Sequence, residues 1–163
     1  MSGKAVRPFQ AGDLDAVMEI WLSANLQAHS FIPEEYWRDN AREVRGLLPE
    51  AAVYVREEDG VPVGFIGLQE NYIAGLFVRP DRQSGGIGGE LLRFAKEQSS
   101  CLCLSVYKKN ERALRFYLRQ GFRIKAWRTD ENTGELEASM LWRGRDEGLE
   151  CEGFYKIIRD SFI

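Results

Sequence analysis

A chain of 163 residues, with 44% apolar and 29% charged side chains, has room for one domain with a sizeable core and is too short for two. No apolar run approaches the roughly 18 residues of a membrane helix. The opening MSGKAVRPFQ lacks the apolar stretch of a secretion signal, so a cytoplasmic chain is expected, without membrane partners. A net charge of −3, both signs interspersed, argues against nucleic acid and favours cationic partners.

Lys4 to Phe9 reads as a first strand. Leu14, Val17, Met18, Trp21 and Leu22 then recur at helical spacing, with Asp13 as the expected N-cap. A second helix is expected from Pro33, where proline suits the first turn and Glu34 and Glu35 complement the helix dipole. Trp37, Ala41, Val44 and Leu48 form its stripe, and Pro49 ends it. Val53 and Val55 alternate with polar neighbours, Asp59-Gly60 signals a hairpin, and Val63 to Leu68 reads as a buried strand.

A third strand of this group, about Tyr72 to Val78, leads into the glycine-rich QSGGIGGE and a helix with Ile87, Leu91, Leu92 and Ala95 on one face. The strand CLCLSV follows, then a helix capped by Asn110, with stripe Ala113, Phe116 and Tyr117 and a terminal Gly121. Phe122 to Arg128 and Leu136 to Trp142 form a closing antiparallel pair around Asn132-Thr133-Gly134. This order predicts one mixed α/β domain over 1–143. A tail over 144–163 follows, with Phe154, Ile157, Ile158, Ser161 and Phe162 on one helical face. Cys101 and Cys103 alternate along one strand and Cys151 lies in the tail. With no zinc spacing, all three read as free thiols and no metal is expected.

The segment Gln83 to Gly89 carries the functional signal. The first amides of a helix have no intrahelical acceptor, and glycines let a ligand approach the backbone, so such a turn suits phosphate. A mononucleotide P-loop needs Lys-Ser or Lys-Thr after the glycines, which is missing. A dinucleotide fingerprint begun at Gly86 and Gly88 needs a small residue where Leu91 stands.

Gln83-Ser84-Gly85-Gly86-Ile87-Gly88 resembles the [QR]xxGx[GA] signature of the GNAT superfamily of N-acetyltransferases. LFVRP resembles the strand before that family's loop. NERALRFYLRQGF resembles N-x-x-A-x-x-F-Y-x-x-x-G-F, matched by Asn110, Ala113, Phe116, Tyr117, Gly121 and Phe122. The resemblance spans about Lys4 to Trp142. It implies an α/β (α+β) fold with a mixed, mostly antiparallel sheet, flanked by helices and splayed between the fourth and fifth strands.

It further implies acetyl-CoA as co-substrate. The pantetheine arm would pair with backbone of Leu76, Phe77 and Val78, the diphosphate would meet amides of Gln83, Ser84, Gly85, Gly86, Ile87, Gly88 and Gly89, and Asn110 and Tyr117 would touch the cofactor. Tyr117 is then the candidate general acid for the departing thiolate, and a backbone N–H of Leu76 to Val78 serves the oxyanion. Many relatives carry a glutamate base where Ser105 stands, and serine cannot fill that role.

Two replacements remain for the base. Glu70 precedes the strand leading to the cofactor, and His29, the only histidine, lies between the first two helices with an ordinary pKa suited to base work. Phe31, Tyr36, Trp37 and Tyr72 are candidate walls of an acceptor pocket. The expected activity is direct acetyl transfer in a ternary complex to a primary amine, either a protein lysine or N-terminus or a small cationic amine. The alternative is a non-catalytic acyl-CoA sensor. A monomer and a homodimer are equally compatible with the sequence.

Overall fold

The computed structural model describes residues 3–144. Beyond Gly144 the predicted tail, with Cys151 and its apolar stripe, lies outside the described residues. The elements follow the predicted order: β1 (Lys4–Pro8), α1 (Leu14–Ala28), α2 (Glu34–Leu47), β2 (Ala52–Glu58), β3 (Val61–Gln69), β4 (Tyr72–Val78), α3 (Ile87–Glu97), β5 (Cys101–Tyr107), α4 (Glu111–Arg119), β6 (Arg123–Thr129) and β7 (Leu136–Arg143). They build one seven-stranded sheet, β1-β2-β3-β4-β5-β7-β6, antiparallel throughout except where β4 meets β5.

Side chains alternate across a strand, so the sheet sorts its residues into two cores. Cys101, Cys103 and Tyr107 of β5 pack with Trp21 of α1 and Trp37 of α2 on one face, while Leu102, Leu104 and Val106 pack with Leu91 of α3 and Tyr117 of α4 on the other. Trp21 and Trp37 are fully buried and meet edge to face at 6.0 Å between ring centres. Such a pair adds about 1 kcal/mol beyond its area burial.

Turn chemistry fixes the hairpins. Asp59 and Gly60 both have positive φ (52° and 82°), the combination whose twist matches two flanking strands. Gly121 ends α4 with φ 91°, where a side chain would be strained.

Two local expectations are corrected. Asp13 does not cap α1 with its side chain. Its backbone is already helical, and its carboxylate turns back to accept from the Gln10 N–H at 2.8 Å and from Arg7 at 2.8 and 3.0 Å. The Arg7 guanidinium supplies the counter-charge that a largely buried carboxylate needs, and it holds Asp13 below the usual carboxylate range. Among the cysteines, Cys103 is a buried free thiol pushed up to about 11 by burial, whereas Cys101 is disulfide-bonded, not free. Among the described residues no helix is long and apolar enough to cross a membrane.

Candidate active site

A one-residue irregularity opens the sheet. Gly67 pairs with Gly75 but Leu68 pairs with Ile73, which leaves Ala74 as an extra residue in β4. A bulge of this kind bends its strand and increases the local twist. Pairing between β4 and β5 is limited to Tyr72 opposite Cys103, and beyond the bulge the strands diverge. The resulting cleft is walled by Gly75, Leu76 and Phe77 on one side, by Ser105 and Tyr107 on the other, and by Tyr117 of α4.

The ladder settles which backbone groups face this cleft. Arg79 N–H donates to the Val63 carbonyl at 2.8 Å, so the pairs two residues along keep the same orientation. Phe77, opposite Phe65, therefore spends its N–H and carbonyl on β3, while those of Leu76 and Val78 turn away from it. Of the three predicted backbone contacts, Leu76 offers its N–H and carbonyl, Val78 offers its N–H while its carbonyl accepts from Gln83, and Phe77 offers its ring. That ring folds over Gly75, where an added Cβ would overlap it.

Between β4 and α3, Ser84 and Gly86 take positive φ (67° and 85°), and Gly86 is the N-cap of α3. Glu90 N–H makes the first bond of the helix, to the Gly86 carbonyl. Among the described residues, no acceptor engages the amides of Gln83 to Gly89. They lie at the positive end of α3 and supply donors for an anion. Side chains hold the loop in shape: Gln83 Nε2 donates to the Val78 carbonyl at 3.1 Å, and Arg112 of α4 donates to Gln83 Oε1 and Ser84 Oγ, each at 2.9 Å. This donor set fits the diphosphate of acetyl-CoA. Leu76 and Val78 suit the amides of its pantetheine arm, as an added strand would.

Asn110 caps α4 as predicted, its Oδ1 accepting from the Ala113 N–H at 3.3 Å. Two helical turns beyond Asn110, Tyr117 is 8% exposed and lines the cleft. Its phenol has no hydrogen-bond partner among the described residues, and burial raises its pKa well above the ordinary value. Tyr117 therefore presents a neutral O–H, a proton held at the cleft wall.

His29 also lines the cleft, with both ring nitrogens engaged: Nδ1 lies 3.1 Å from Asn25 Oδ1 and Nε2 lies 3.1 Å from Asn110 Nδ2. Backbone contacts orient both asparagines. Asn25 Nδ2 donates to the Trp21 carbonyl at 2.9 Å, leaving Asn25 Oδ1 to accept, and Asn110 Oδ1 accepts in the cap, leaving Asn110 Nδ2 to donate. The imidazole is thus neutral with its hydrogen on Nδ1. Trp37 stacks on it at 5.2 Å, Phe31 and Tyr107 meet it edge-on, and burial lowers its pKa to about 4.

Glu70 stands apart from this group. It occupies the β3–β4 turn with φ 54°, is exposed, and borders a different depression beside Leu47 and Glu50. Ser105 does line the cleft, where the resemblance would place a glutamate. Of the predicted aromatic walls, Phe31 and Tyr36 are half-buried, while Trp37 and Tyr72 lie in the core beneath. Two polar cleft residues escaped the sequence reading. Asn25 sits one turn before His29, a spacing that could have suggested the contact, and Tyr107 closes the CLCLSVY strand three residues before Asn110. Among the described residues no cluster of three or more His, Cys, Asp or Glu could hold a metal ion.

A mixed sheet splayed beside a bulged strand, with a glycine loop opening a helix at the mouth of the gap, is the architecture of an acyl-CoA-dependent acetyltransferase. Residues 49–124 match the acetyltransferase (GNAT) domain model. Over 129 residues the chain is 38% identical to the peptidyl-lysine N-acetyltransferase YiaC of Escherichia coli K12, an alignment covering 77% of this chain and 88% of that protein. It is 32% identical over 111 residues to the peptidyl-lysine N-acetyltransferase YjaB of the same organism, covering 68% and 76%. The solution structure of apo YjaB superimposes with a TM-score of 0.78 at 27% identity, covering 87% of this chain and 99% of that one. The chain belongs to the GNAT acetyltransferases. It is an N-acetyltransferase that uses acetyl-CoA.

Proposed function

We propose that this enzyme acetylates the side-chain amine of lysine in proteins, by direct transfer within a ternary complex. Acetyl-CoA supplies an activated acetyl group as a thioester. The loop amides from Gln83 to Gly89 hold its diphosphate, and Leu76 and Val78 align its arm along β4. One of those two strand N–H groups donates to the thioester carbonyl oxygen, where negative charge grows. Tyr117 gives its proton to the departing sulfur. Tyr117 serves here as the catalytic acid because it combines a neutral buried phenol, no internal partner among the described residues and a position on the cleft wall.

The choice of lysine is supported by the names of the two E. coli relatives, both peptidyl-lysine N-acetyltransferases. The cysteines give no support to a covalent acyl-enzyme, since Cys103 is buried with its thiol held protonated. One observation favours a second reading, a sensor that binds acyl-CoA without turnover: Ser105 lines the cleft where the family commonly has glutamate.

Acetyl-CoA-dependent thiol release with lysine peptides, N-terminal-amine peptides and small polyamines decides between them, with mass spectrometry locating the acetyl group. Release with lysine peptides and modification at Nζ is the expected result. Acetyl-CoA binding with no release on any amine overturns the reading in favour of the sensor.

A further inference from the structure

Direct transfer requires the lysine ammonium to lose a proton before attack, and His29, Ser105 and Glu70 are not placed to take it. His29 has both nitrogens bonded and a pKa near 4, Ser105 carries no carboxylate, and Glu70 borders another depression. The geometry points to Tyr107 and Asp130 as a proton relay that deprotonates the incoming amine. This inference rests on the acetyltransferase reading above.

Tyr107 ends β5, is 2% exposed, and lines the same cleft as Tyr117. Its phenol donates to Asp130 Oδ2 at 2.5 Å, a charge-assisted bond. Asp130 is 4% exposed and begins the β6–β7 turn, where its Oδ1 accepts from the Asn132 N–H at 2.9 Å. Glu131 and Asn132 beside it are exposed, which gives the proton a short route to solvent. The residues are 23 apart in sequence and meet because β7 lies between β5 and β6.

The step balances. As the substrate N–H bond breaks, the Tyr107 oxygen gains that hydrogen and passes its own to Asp130. Ammonium becomes amine, carboxylate becomes carboxylic acid, and tyrosine ends unchanged. Tyr107 need never become phenolate, in keeping with a phenol whose pKa is held high by burial and by Asp130.

Aromatic, polar and charged groups surround the Tyr107 phenol. His29 and Phe31 touch the Tyr107 ring, and Tyr36 of α2 and Thr133 of the β6–β7 turn are the further polar groups near its phenol. Glu137 of β7 is its register partner, and Arg128 of β6 is in turn opposite Glu137. Lys109 and Glu135 pair at 3.1 Å, and the Lys109 ammonium lies 5.6 Å from the Phe31 ring.

The test compares kcat/KM for a lysine peptide between pH 6 and 10 in the wild type, Tyr107→Phe and Asp130→Asn, with acetyl-CoA affinity and melting temperature measured in parallel. Tyr107→Phe keeps the ring contacts and removes only the hydroxyl, so it remains informative if Asp130→Asn does not fold. The wild type should reach a plateau. Tyr107→Phe should be about 100-fold slower at pH 7 and climb about tenfold per pH unit toward the amine's own pKa near 10.4, with acetyl-CoA affinity unchanged. A uniform loss at every pH, or the wild-type profile, overturns the relay while leaving the acetyltransferase reading standing. A wild type that acetylates no amine removes the reading itself, and the relay with it.

Discussion

Asn110 Nδ2 donates to His29 Nε2 over 3.1 Å, joining the segment between α1 and α2 to the first turn of the helix that carries Tyr117. The same asparagine caps α4, so the segment between α1 and α2 and the helix carrying Tyr117 are held through one side chain. In the proposed mechanism His29 is a positioning residue, held at both ring nitrogens by Asn25 and Asn110. Its proton is on Nδ1, and a second proton on Nε2 would face the Asn110 amide and force it to turn away from the cap.

The fold therefore resists protonation of His29. Unfolded chain takes up this proton near pH 6.5 and folded chain only near 4, so the unfolded state binds more protons between those values. The stability tied to neutral His29 is complete above pH 6.5 and is lost as pH falls toward 4, about 3 kcal/mol in all. Melting curves from pH 7.5 to 4 should show this decline. His29→Gln should flatten it, and an equal slope in the variant contradicts the assignment.

Tyr117→Phe should lower kcat by about 100-fold, the order of a lost general acid, with acetyl-CoA affinity nearly unchanged. Steady-state kinetics together with calorimetry separate the two quantities. Unchanged turnover removes Tyr117 from the acid role.

The loop makes two claims of its own. Gly86→Ala places a side chain at φ 85°, which costs about 1–2 kcal/mol and should weaken acetyl-CoA binding roughly tenfold. Arg112→Ala frees Gln83 and Ser84 from their tether and should weaken binding by about three- to tenfold, the value of a net hydrogen bond or two. Calorimetric titration of both variants checks these figures. Wild-type affinity in both would mean that the loop does not carry the cofactor.

Gly75→Ala should act on the opposite wall. Its Cβ would displace the Phe77 ring, which packs against Phe65 at 5.3 Å between centres and borders the cleft. The expected outcome is a raised KM for acetyl-CoA with the fold intact by circular dichroism. A variant with wild-type kinetics would show that the ring is free to move.

Most of the fold was legible because it depends on local periodicity and turn chemistry. The stripe from Ile87 to Ala95, the Asp59-Gly60 hairpin, the Asn110 cap and the Gly121 terminus all act within a few residues of themselves. The bulge at Ala74 was not legible, because a register shift depends on the partner strand. Asp13 was misread because Arg7, a residue on β1, competes for its carboxylate.

The geometry of the candidate site was legible in part. The glycine loop and the Asn110-to-Phe122 pattern are contiguous and could be read directly. Glu70 is two residues from β4 in sequence yet sits at the end of the sheet that stays paired, a placement only the topology reveals. Tyr107 and Asp130 belong to different strands, and their contact follows from strand order alone.

In the proposed mechanism, the unengaged amides between Gln83 and Gly89 receive the diphosphate of acetyl-CoA. Titrating acetyl-CoA into isotopically labelled protein and following backbone amide resonances tests this directly. Gln83 to Gly89 should shift most, followed by Leu76 and Val78. Shifts confined to other residues, or no shifts at saturating acetyl-CoA, would contradict it.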